Sequence, residues 1–212
     1  MRRPLFLLIV SVSAVALAAV TYRCLTPKLP PLVFLIGDSI SEGYAPTVNR
    51  ALRMAHVERQ PERCRYTNCI LRTIDIWIAN SPRWRVVLFN SGYHDVRLRK
   101  DTGLVVTTIE DYASELKAIA TKLRGHSDVV IFATTTPIPI ANDPAFSERS
   151  IAYNAVARTA MKEIGVEVLD LYEIGARLGP EYREEPNDAH FTDPGYEILG
   201  QAAAGAIIRH LR

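Results

Sequence analysis

One serine of the sequence occupies a position suited to nucleophilic chemistry. Ser39 follows an apolar run over residues 32–36 through the dipeptide Gly37-Asp38, and a helix is expected after it. A serine hydroxyl needs a base to become nucleophilic, and a sharp strand-to-helix turn exposes it well. Gly37 lets such a turn tighten, and the Ser39 amide near a helix start can face a developing oxyanion. A serine that only caps the helix has the same local pattern, so the motif alone leaves both interpretations open.

Other polar clusters stand where further apolar runs end. Residues 90–95 read Asn-Ser-Gly-Tyr-His-Asp, residues 134–137 read Thr-Thr-Thr-Pro, and residues 187–190 read Asn-Asp-Ala-His. In open parallel sheets, ligands gather beyond the carboxyl ends of the strands. We therefore expect these clusters and Ser39 to converge on one edge of the sheet.

The alternation of apolar runs and helical patterns predicts the fold that positions these clusters. Strands are predicted at residues 32–36, 86–89, 129–134 and 166–171, with a short fifth strand at 57–60. Helices are predicted at residues 47–56, 67–79, 108–123, 148–164 and 194–211. Near-continuous apolar strands separated by helices form a parallel sheet that is covered on both faces. The fold class is therefore α/β, as one three-layer α/β/α domain.

The order of the polar blocks is more specific than any single block. Along the chain they read Gly37-Asp38-Ser39, then Gly92-x-x-Asp95, then Asp188-x-His190-Phe-Thr-x-x-Gly195-Tyr196. In this order and spacing the chain resembles the SGNH (GDSL-type) hydrolases. The resemblance implies a flavodoxin-like parallel sheet and a serine esterase site that uses no metal ion or cofactor. It also makes Ser39 the nucleophile and an oxyanion donor, and His190 the general base.

The block at residues 92–95 departs from the pattern of these hydrolases. They usually carry Gly-x-Asn-Asp, with the Asn amide donating to the oxyanion, whereas this chain reads Gly-Tyr-His-Asp. An imidazole N–H donates as an amide does, so His94 is expected to complete the oxyanion hole. One branch of the family reads Asn-x-Gly-Leu-His-Asp here, which makes Asn90 a supporting candidate, although a strand-end turn cap explains it equally well. Asp95 is interpreted as structural.

A second departure concerns the glycine that usually gives a further oxyanion amide. No glycine lies between Gly43 and Gly92. Because the donor would be a main-chain N–H, the backbone of Arg63, Cys64 or a neighbour could take its place.

The third departure lies at the residue that orients His190. Family spacing places an acid three residues before the histidine, where this chain has Asn187, and the carboxylate of Asp188 is one residue closer. In extended backbone, side chains two apart point to the same side, so Asp188 could reach the ring without a turn. A carboxylate stabilises the imidazolium better than an amide does, and this favours Asp188 over Asn187.

The first 26 residues differ from the rest of the chain. Arg2 and Arg3 precede an apolar run over residues 5–20, and prolines follow at positions 27, 30 and 31. The length of the run lies between that of a signal peptide, about 7–15 residues, and that of a membrane span, about 20. We expect residues 1–26 to be a cleaved signal peptide or an uncleaved membrane anchor. Residues 27–212 would then be a hydrolase domain outside the cytoplasm, secreted, periplasmic or membrane-anchored.

Composition excludes several other classes of protein. With 48% hydrophobic and 23% charged residues the chain can bury a core, and its net charge of +2 includes no dense basic run for nucleic acid. No histidine or cysteine pair completes a tetrahedral metal set. Cys64 and Cys69 could form a disulfide outside the cytoplasm or remain free thiols.

Two functions are consistent with these patterns. The first is hydrolysis of carboxylic esters through an acyl-enzyme, with small acyl groups favoured because no long apolar insertion separates Ser39 from His190. The resemblance to the branch with Asn-x-Gly-Leu-His-Asp implies acetyl esters on carbohydrate. The second is a noncatalytic, membrane-tethered recognition domain that kept the fold. The presence of both Ser39 and His190 favours the enzyme.

Overall fold

The computed structural model of the protein describes residues 29–61, 64–138 and 144–211. Its folded unit begins at Pro31. The predicted export segment, residues 1–26, lies outside the described residues. Within the described ranges, no helix is long and apolar enough to cross a membrane.

A parallel sheet of five strands forms the centre of the described unit. The strands are β1 (Leu32–Ile36), β2 (His56–Arg59), β3 (Trp84–Asn90), β4 (Ser127–Ala133) and β5 (Glu167–Leu169). They lie in the order β2-β1-β3-β4-β5, and each neighbouring pair is parallel. The predicted α/β class is confirmed, and all the strands end at the same edge of the sheet.

Helices follow the strands and cover both faces of the sheet. They are α1 (Ser39–Ala51), α2 (Thr67–Ala79), α3 (Ile109–His126), α4 (Pro144–Glu163), α5 (Leu171–Ala176) and α6 (Asp193–Ile208). One apolar core lies between the sheet and α1 with α6, and the other lies between the sheet and α2, α3 and α4. The central strands β1 and β3 contribute side chains to both cores, which accounts for their continuous apolar runs.

The first helix begins earlier than the sequence pattern predicts. The prediction of a helix over residues 47–56 is wrong in its bounds, because α1 spans Ser39–Ala51 and His56 lies on β2. Gly43 and Pro46 disfavour a helix by intrinsic propensity. A Cβ on Gly43 would come within 2.3 Å of the Tyr196 ring, so glycine is what allows α1 to pack closely on α6. Burial against the core therefore outweighs propensity in this segment.

Two short helices that the sequence pattern did not predict connect β5 to the His190 loop. The first is α5, and the second is a 3₁₀ helix at Pro180–Tyr182. Asp170 caps α5 by accepting a hydrogen bond from the Glu173 amide at 3.1 Å. Both helices are only one or two turns long, which is too short to show helical periodicity.

Candidate active site

Ser39 is the first residue of α1, and its neighbours explain the sharp turn that places it there. A Cβ on Gly37 would lie 2.7 Å from Ser41 Oγ, so the close approach of the backbone to α1 requires glycine. The Asp38 carboxylate caps α1 by accepting from the Ile40 amide at 3.0 Å. The first amides of a helix have no partner inside it, so the partly exposed Ser39 presents both a hydroxyl and an open N–H.

A chain of hydrogen bonds runs from Ser39 through His190 to Asp188. Ser39 Oγ lies 2.8 Å from His190 Nε2, and His190 Nδ1 lies 2.7 Å from Asp188 Oδ1. The hydrogen bond from the His190 amide, followed by that from the His190 ring, lowers the pKa of the Asp188 carboxyl. Because the ionised carboxylate can only accept, Nδ1 carries the ring proton and Nε2 is left to accept the Ser39 hydroxyl proton.

A turn brings Asp188 to the ring of His190. The same Oδ1 atom accepts the His190 backbone N–H at 3.0 Å, which makes an Asx-type turn and not the extended backbone that the sequence analysis assumed. Asn187 is exposed at the preceding turn, and its side chain has no hydrogen-bond partner among the described residues. The structure therefore places Asp188, and not Asn187, against the His190 ring.

Arg183 supports the loop that carries His190. Its guanidinium donates to the carbonyl of Ala189 at 2.8 Å and to that of Pro137 at 3.0 Å, and it lies 3.8 Å from the centre of the Phe191 ring. Burial lowers the pKa of the Arg183 guanidinium. The sequence analysis did not single out this residue, because its partners are backbone carbonyls and an aromatic ring that leave no motif.

The segment after β3 is held by buried polar contacts. Asn90, the last residue of β3, donates to the Ala133 carbonyl at 2.9 Å and so joins the ends of β3 and β4. Gly92 has a φ of +143°, a value that side-chain-bearing residues rarely adopt, and a Cβ there would lie 2.4 Å from Thr135 Oγ1. This conformation starts the turn that carries His94.

The buried Asp95 holds the segment after β3 in place. Its carboxylate is fully buried and accepts hydrogen bonds from the Thr67 amide at 3.1 Å, Ser91 Oγ at 2.9 Å and Thr107 Oγ1 at 2.8 Å. A buried carboxylate needs such donors to offset its lost hydration. Asp95 therefore holds together α2, the β3 loop and the start of α3, in a structural role.

Ser39, His190 and His94 line one cavity of about 450 Å³. His94 is only 7% exposed, and its ring meets Tyr93 and Tyr66 edge-on, with centroids 4.9 and 5.8 Å away. No described residue hydrogen-bonds to either nitrogen of the His94 ring. The ring N–H is therefore available to a bound group in the cavity.

The surroundings of His94 keep its ring neutral. Burial, followed by the positive charges of Arg65 and Arg97 and by His190, lowers the pKa of His94 from 6.5 to about 4. A neutral imidazole has one N–H donor and one acceptor nitrogen. At neutral pH, His94 can therefore donate to an oxyanion without itself changing charge.

Gln60 joins the Ser39 turn to the segment that contains Cys64. Its side chain accepts from the Gly37 amide at 3.1 Å and donates to the Gly37 carbonyl at 2.9 Å and the Cys64 carbonyl at 3.4 Å. Cys64 lines the cavity and forms a disulfide with Cys69, which settles the choice that the sequence left open. Of the two residues named for the second oxyanion amide, Arg63 lies outside the described residues. Gln60 was missed because it is a single polar residue at the end of a short strand.

One cluster in the described part has metal-ligand chemistry. The ligand atoms of Glu184, Asp188 and His190 lie within 4.8 Å of one another. Both ring nitrogens of His190 are engaged, one with Asp188 and the other with Ser39. This arrangement leaves neither nitrogen free to bind a metal ion.

An α/β/α sheet with a serine-histidine-aspartate chain at the carboxyl edge of its strands is the arrangement of a serine hydrolase. The model of the GDSL-like lipase/acylhydrolase family matches residues 35–198, so the chain belongs to this family of ester hydrolases. No curated protein sequence matches the chain.

Solved structures show the same fold at low sequence identity. A lipase/acylhydrolase from Enterococcus faecalis is 20% identical and has a TM-score of 0.67 over 84% of this chain and 95% of its own. A catalytic mutant of an acetylxylan esterase from Geobacillus stearothermophilus is 16% identical, with a TM-score of 0.68 over 88% and 96%. A GDSL-like lipase from Bacteroides thetaiotaomicron is 18% identical, with a TM-score of 0.68 over 90% and 95%.

Proposed function

We propose that the protein hydrolyses acetyl and other small-acyl esters through an acyl-enzyme on Ser39, and that carbohydrate esters are its natural substrate class. The observation that carries this proposal is the hydrogen-bonded chain Ser39–His190–Asp188 at the wall of an open cavity. Acetylxylan esterases among the similar structures support the choice of acetyl esters on carbohydrate.

The shape and lining of the cavity favour a small polar substrate. Its volume of about 450 Å³ is modest for a ligand site, and most of its lining residues are polar or charged. A long acyl chain needs an extended apolar surface, whereas Pro61 and Tyr93 are among the few less polar side chains at this wall. We therefore expect turnover to decline as the acyl chain lengthens.

The geometry supports a two-step mechanism. Ser39 Oγ attacks the ester carbonyl while His190 Nε2 takes the hydroxyl proton, and Asp188 stabilises the imidazolium that forms. His190 then returns the proton to the leaving alcohol, and the acyl group remains on Ser39. A water molecule, deprotonated by His190 in the same way, attacks the acyl carbon. The bond from that carbon to Ser39 Oγ then breaks, His190 returns the proton to Ser39 Oγ, and the acid is released. These steps use protein groups and water and require no metal ion or cofactor.

The negative charge on the carbonyl oxygen needs donors that are already in place. The open amide of Ser39 and the free ring N–H of His94 are the donors that we assign to it. Because His94 is neutral, it stabilises this charge through a hydrogen bond and gives up no proton.

A panel of acyl esters tests the proposed function. The purified full-length protein, in detergent where needed, is assayed with 4-nitrophenyl esters of two to twelve acyl carbons and with acetylated xylo-oligosaccharides. We expect the highest kcat/KM with acetyl or propionyl esters and release of acetate from the oligosaccharides. The matched control is Ser39→Ala, which should lose both activities. A preference for long acyl chains, or activity that survives in Ser39→Ala, would overturn the proposal.

We further propose that the domain acts outside the cytoplasm. The basic residues and apolar run at the N-terminus and the Cys64–Cys69 disulfide both support this location, since disulfides persist in oxidising compartments. Fractionation of the tagged full-length protein should find it in the membrane, periplasmic or secreted fractions. A pool that is entirely cytosolic would refute the proposal.

A further inference from the structure

The cavity wall around Ser39 carries an unusual concentration of positive charge. Three arginines, Arg59, Arg65 and Arg97, line it together with the two histidines. Arg59 ends β2 and Arg65 precedes α2, close together in the sequence, whereas Arg97 follows the His94 turn. The fold therefore brings Arg97 to the two arginines that flank the β2–α2 connection.

Two of these arginines have no carboxylate partner among the described residues. The side chains of Arg65 and Arg97 are exposed, and within that part of the chain neither guanidinium forms a salt bridge or hydrogen bond. The Arg97 guanidinium lies 5.8 Å from the centre of the Tyr93 ring. Some arginines outside the cavity are paired with carboxylates, as Arg83 is with Asp128 at 2.9 Å. The charges of Arg65 and Arg97 are thus left for a group that enters the cavity.

The third arginine lies deeper in the same wall. Arg59 donates to Ser41 Oγ at 3.1 Å, and its buried Nε has no partner among the described residues. Its partial burial makes its charge less screened by water than that of an exposed arginine.

The wall also contains two acids, Asp38 and Glu42. Asp38 is buried and caps α1, and no salt bridge joins either acid to Arg65 or Arg97 within the described residues. Besides burial, the positive charges of Arg65 and Arg97 lower the pKa of His94 and so oppose protonation of its ring. The side of the cavity near His94 is therefore electropositive.

We propose that the ester substrate carries an anionic group, a carboxylate or a phosphate, which Arg65 and Arg97 bind beside the reacting carbonyl. The inference rests on the proposed ester hydrolysis at Ser39 and names its substrate class more closely. A guanidinium matches the two oxygens of a carboxylate or phosphate with paired N–H donors. An acetylated acidic saccharide satisfies both this requirement and the proposed preference for small acyl groups.

The test compares matched aryl acetates that differ in charge. The full-length protein is assayed with 4-acetoxybenzoate, 4-acetoxyphenyl phosphate and the neutral 4-acetoxybenzamide. The variants are Arg65→Gln, Arg97→Gln and the double variant. The readout is the ratio of kcat/KM for each anionic ester to that for the neutral ester, because comparing variants with wild type cancels the intrinsic reactivity of each ester.

We expect each single substitution to lower this ratio about 10-fold for the preferred anion, and the double variant to lower it further. In wild type, added salt should lower the ratio as well, since it screens the arginines. Arg53→Gln removes the same net charge beyond the far end of α1 and should leave the ratio as in wild type. Arg65→Lys and Arg97→Lys keep the charge and should retain part of the preference.

The possible results separate this inference from the proposed function. Wild-type protein that cleaves none of the three acetates would refute the ester hydrolysis itself. Cleavage of all three with a ratio that neither the Gln substitutions nor salt changes would overturn the anionic substrate and leave the esterase intact. If a Gln variant does not fold, as judged by its thermal unfolding, the salt dependence of wild type decides. The two anionic esters are also compared with each other. The one whose kcat/KM ratio falls more in the Gln variants carries the group, carboxylate or phosphate, that the arginines bind.

Discussion

His190 and His94 face the same cavity, but their surroundings are opposite in charge. His190 has the Asp188 carboxylate 2.7 Å from its Nδ1, and its other nitrogen meets Ser39. His94 has burial and the charges of Arg65 and Arg97 around it, which lower its pKa to about 4. His190 thus has a negative neighbour, whereas His94 has positive neighbours that oppose its protonation.

This difference matches the two roles that we propose. A general base must become an imidazolium during the reaction, and a neighbouring carboxylate stabilises that charge. An oxyanion donor must hold an N–H in place and keep its own protonation constant. We therefore propose that the same residue type takes either role according to whether negative or positive charges surround it.

The largest expected effect comes from removing the charge beside His190. Asp188→Asn should lower kcat by about 10³-fold or more, because the amide no longer stabilises the imidazolium and permits the wrong tautomer. Asn187→Ala, the matched neighbour, should stay near wild type, since Asn187 is exposed and its side chain has no hydrogen-bond partner among the described residues. Steady-state kinetics on both folded variants make the comparison. The reverse order would assign the orienting role to Asn187, and normal activity in both would leave a Ser39–His190 dyad.

The next effect concerns His94. His94→Ala should lower kcat by about 10²-fold or more with little change in KM, because an oxyanion donor acts mainly in the transition state. His94→Asn restores an amide donor and should recover part of the loss. Initial rates over a range of acetyl ester concentrations separate kcat from KM. Wild-type turnover in His94→Ala would show that His94 is only a loop residue.

The lowered pKa of His94 also predicts how stability depends on pH. The folded pKa of about 4 lies below the ordinary 6.5, so the unfolded chain binds more protons between these values. The contribution of neutral His94 to the free energy of unfolding is therefore fully present above about pH 6.5 and is lost as the pH falls towards 4.

Denaturant unfolding at pH 7.5 and 4.5 measures this loss. Between pH 7.5 and 4.5, the free energy of unfolding should fall by about 2 kcal/mol more in wild type than in His94→Asn. His56→Asn is the control, because the His56 side chain is 62% exposed and lies outside the cavity. Equal losses in wild type and His94→Asn would mean that His94 is not held neutral.

The smallest effect is expected at the disulfide. Cys64–Cys69 constrains the segment that carries Arg65 and lines the cavity. Its loop is short, so replacing both cysteines with serine should cost about 2 kcal/mol of stability or less. The kcat/KM for an acetyl ester should fall by a smaller factor than in His94→Ala. Thermal unfolding and kinetics of the double serine variant check both expectations, and a loss of activity as large as that of His94→Ala would give this segment a more direct role.

The parts of the fold that depend on local apolar pattern could be predicted from the sequence. β1 and α2 have the predicted bounds, because a buried strand and an amphipathic helix each leave a clear period. The start of α1 could not be predicted in this way. Gly43 has a low helix propensity, but its lack of a side chain is what allows the close contact with Tyr196.

The same distinction applies to the candidate site, where some residues stand in recognisable motifs and others do not. Ser39 and His190 stand in motifs, so their order along the chain was enough to bring them together in the prediction. Arg65 and Arg97 carry no motif, and their meeting at one wall depends on how separate loops fold. The neutrality of His94 likewise depends on burial and on those two charges, neither of which is visible in the chain order.

The most direct test of the account is labelling of the protein with a fluorophosphonate probe, followed by peptide mapping. Such probes phosphonylate a serine only when a base activates it, so the central claim predicts labelling of wild type at Ser39. Ser39→Ala should not be labelled, and His190→Ala should label far more slowly. Wild-type protein that is folded but unlabelled, or labelled at another serine, would contradict the claim that His190 and Asp188 activate Ser39.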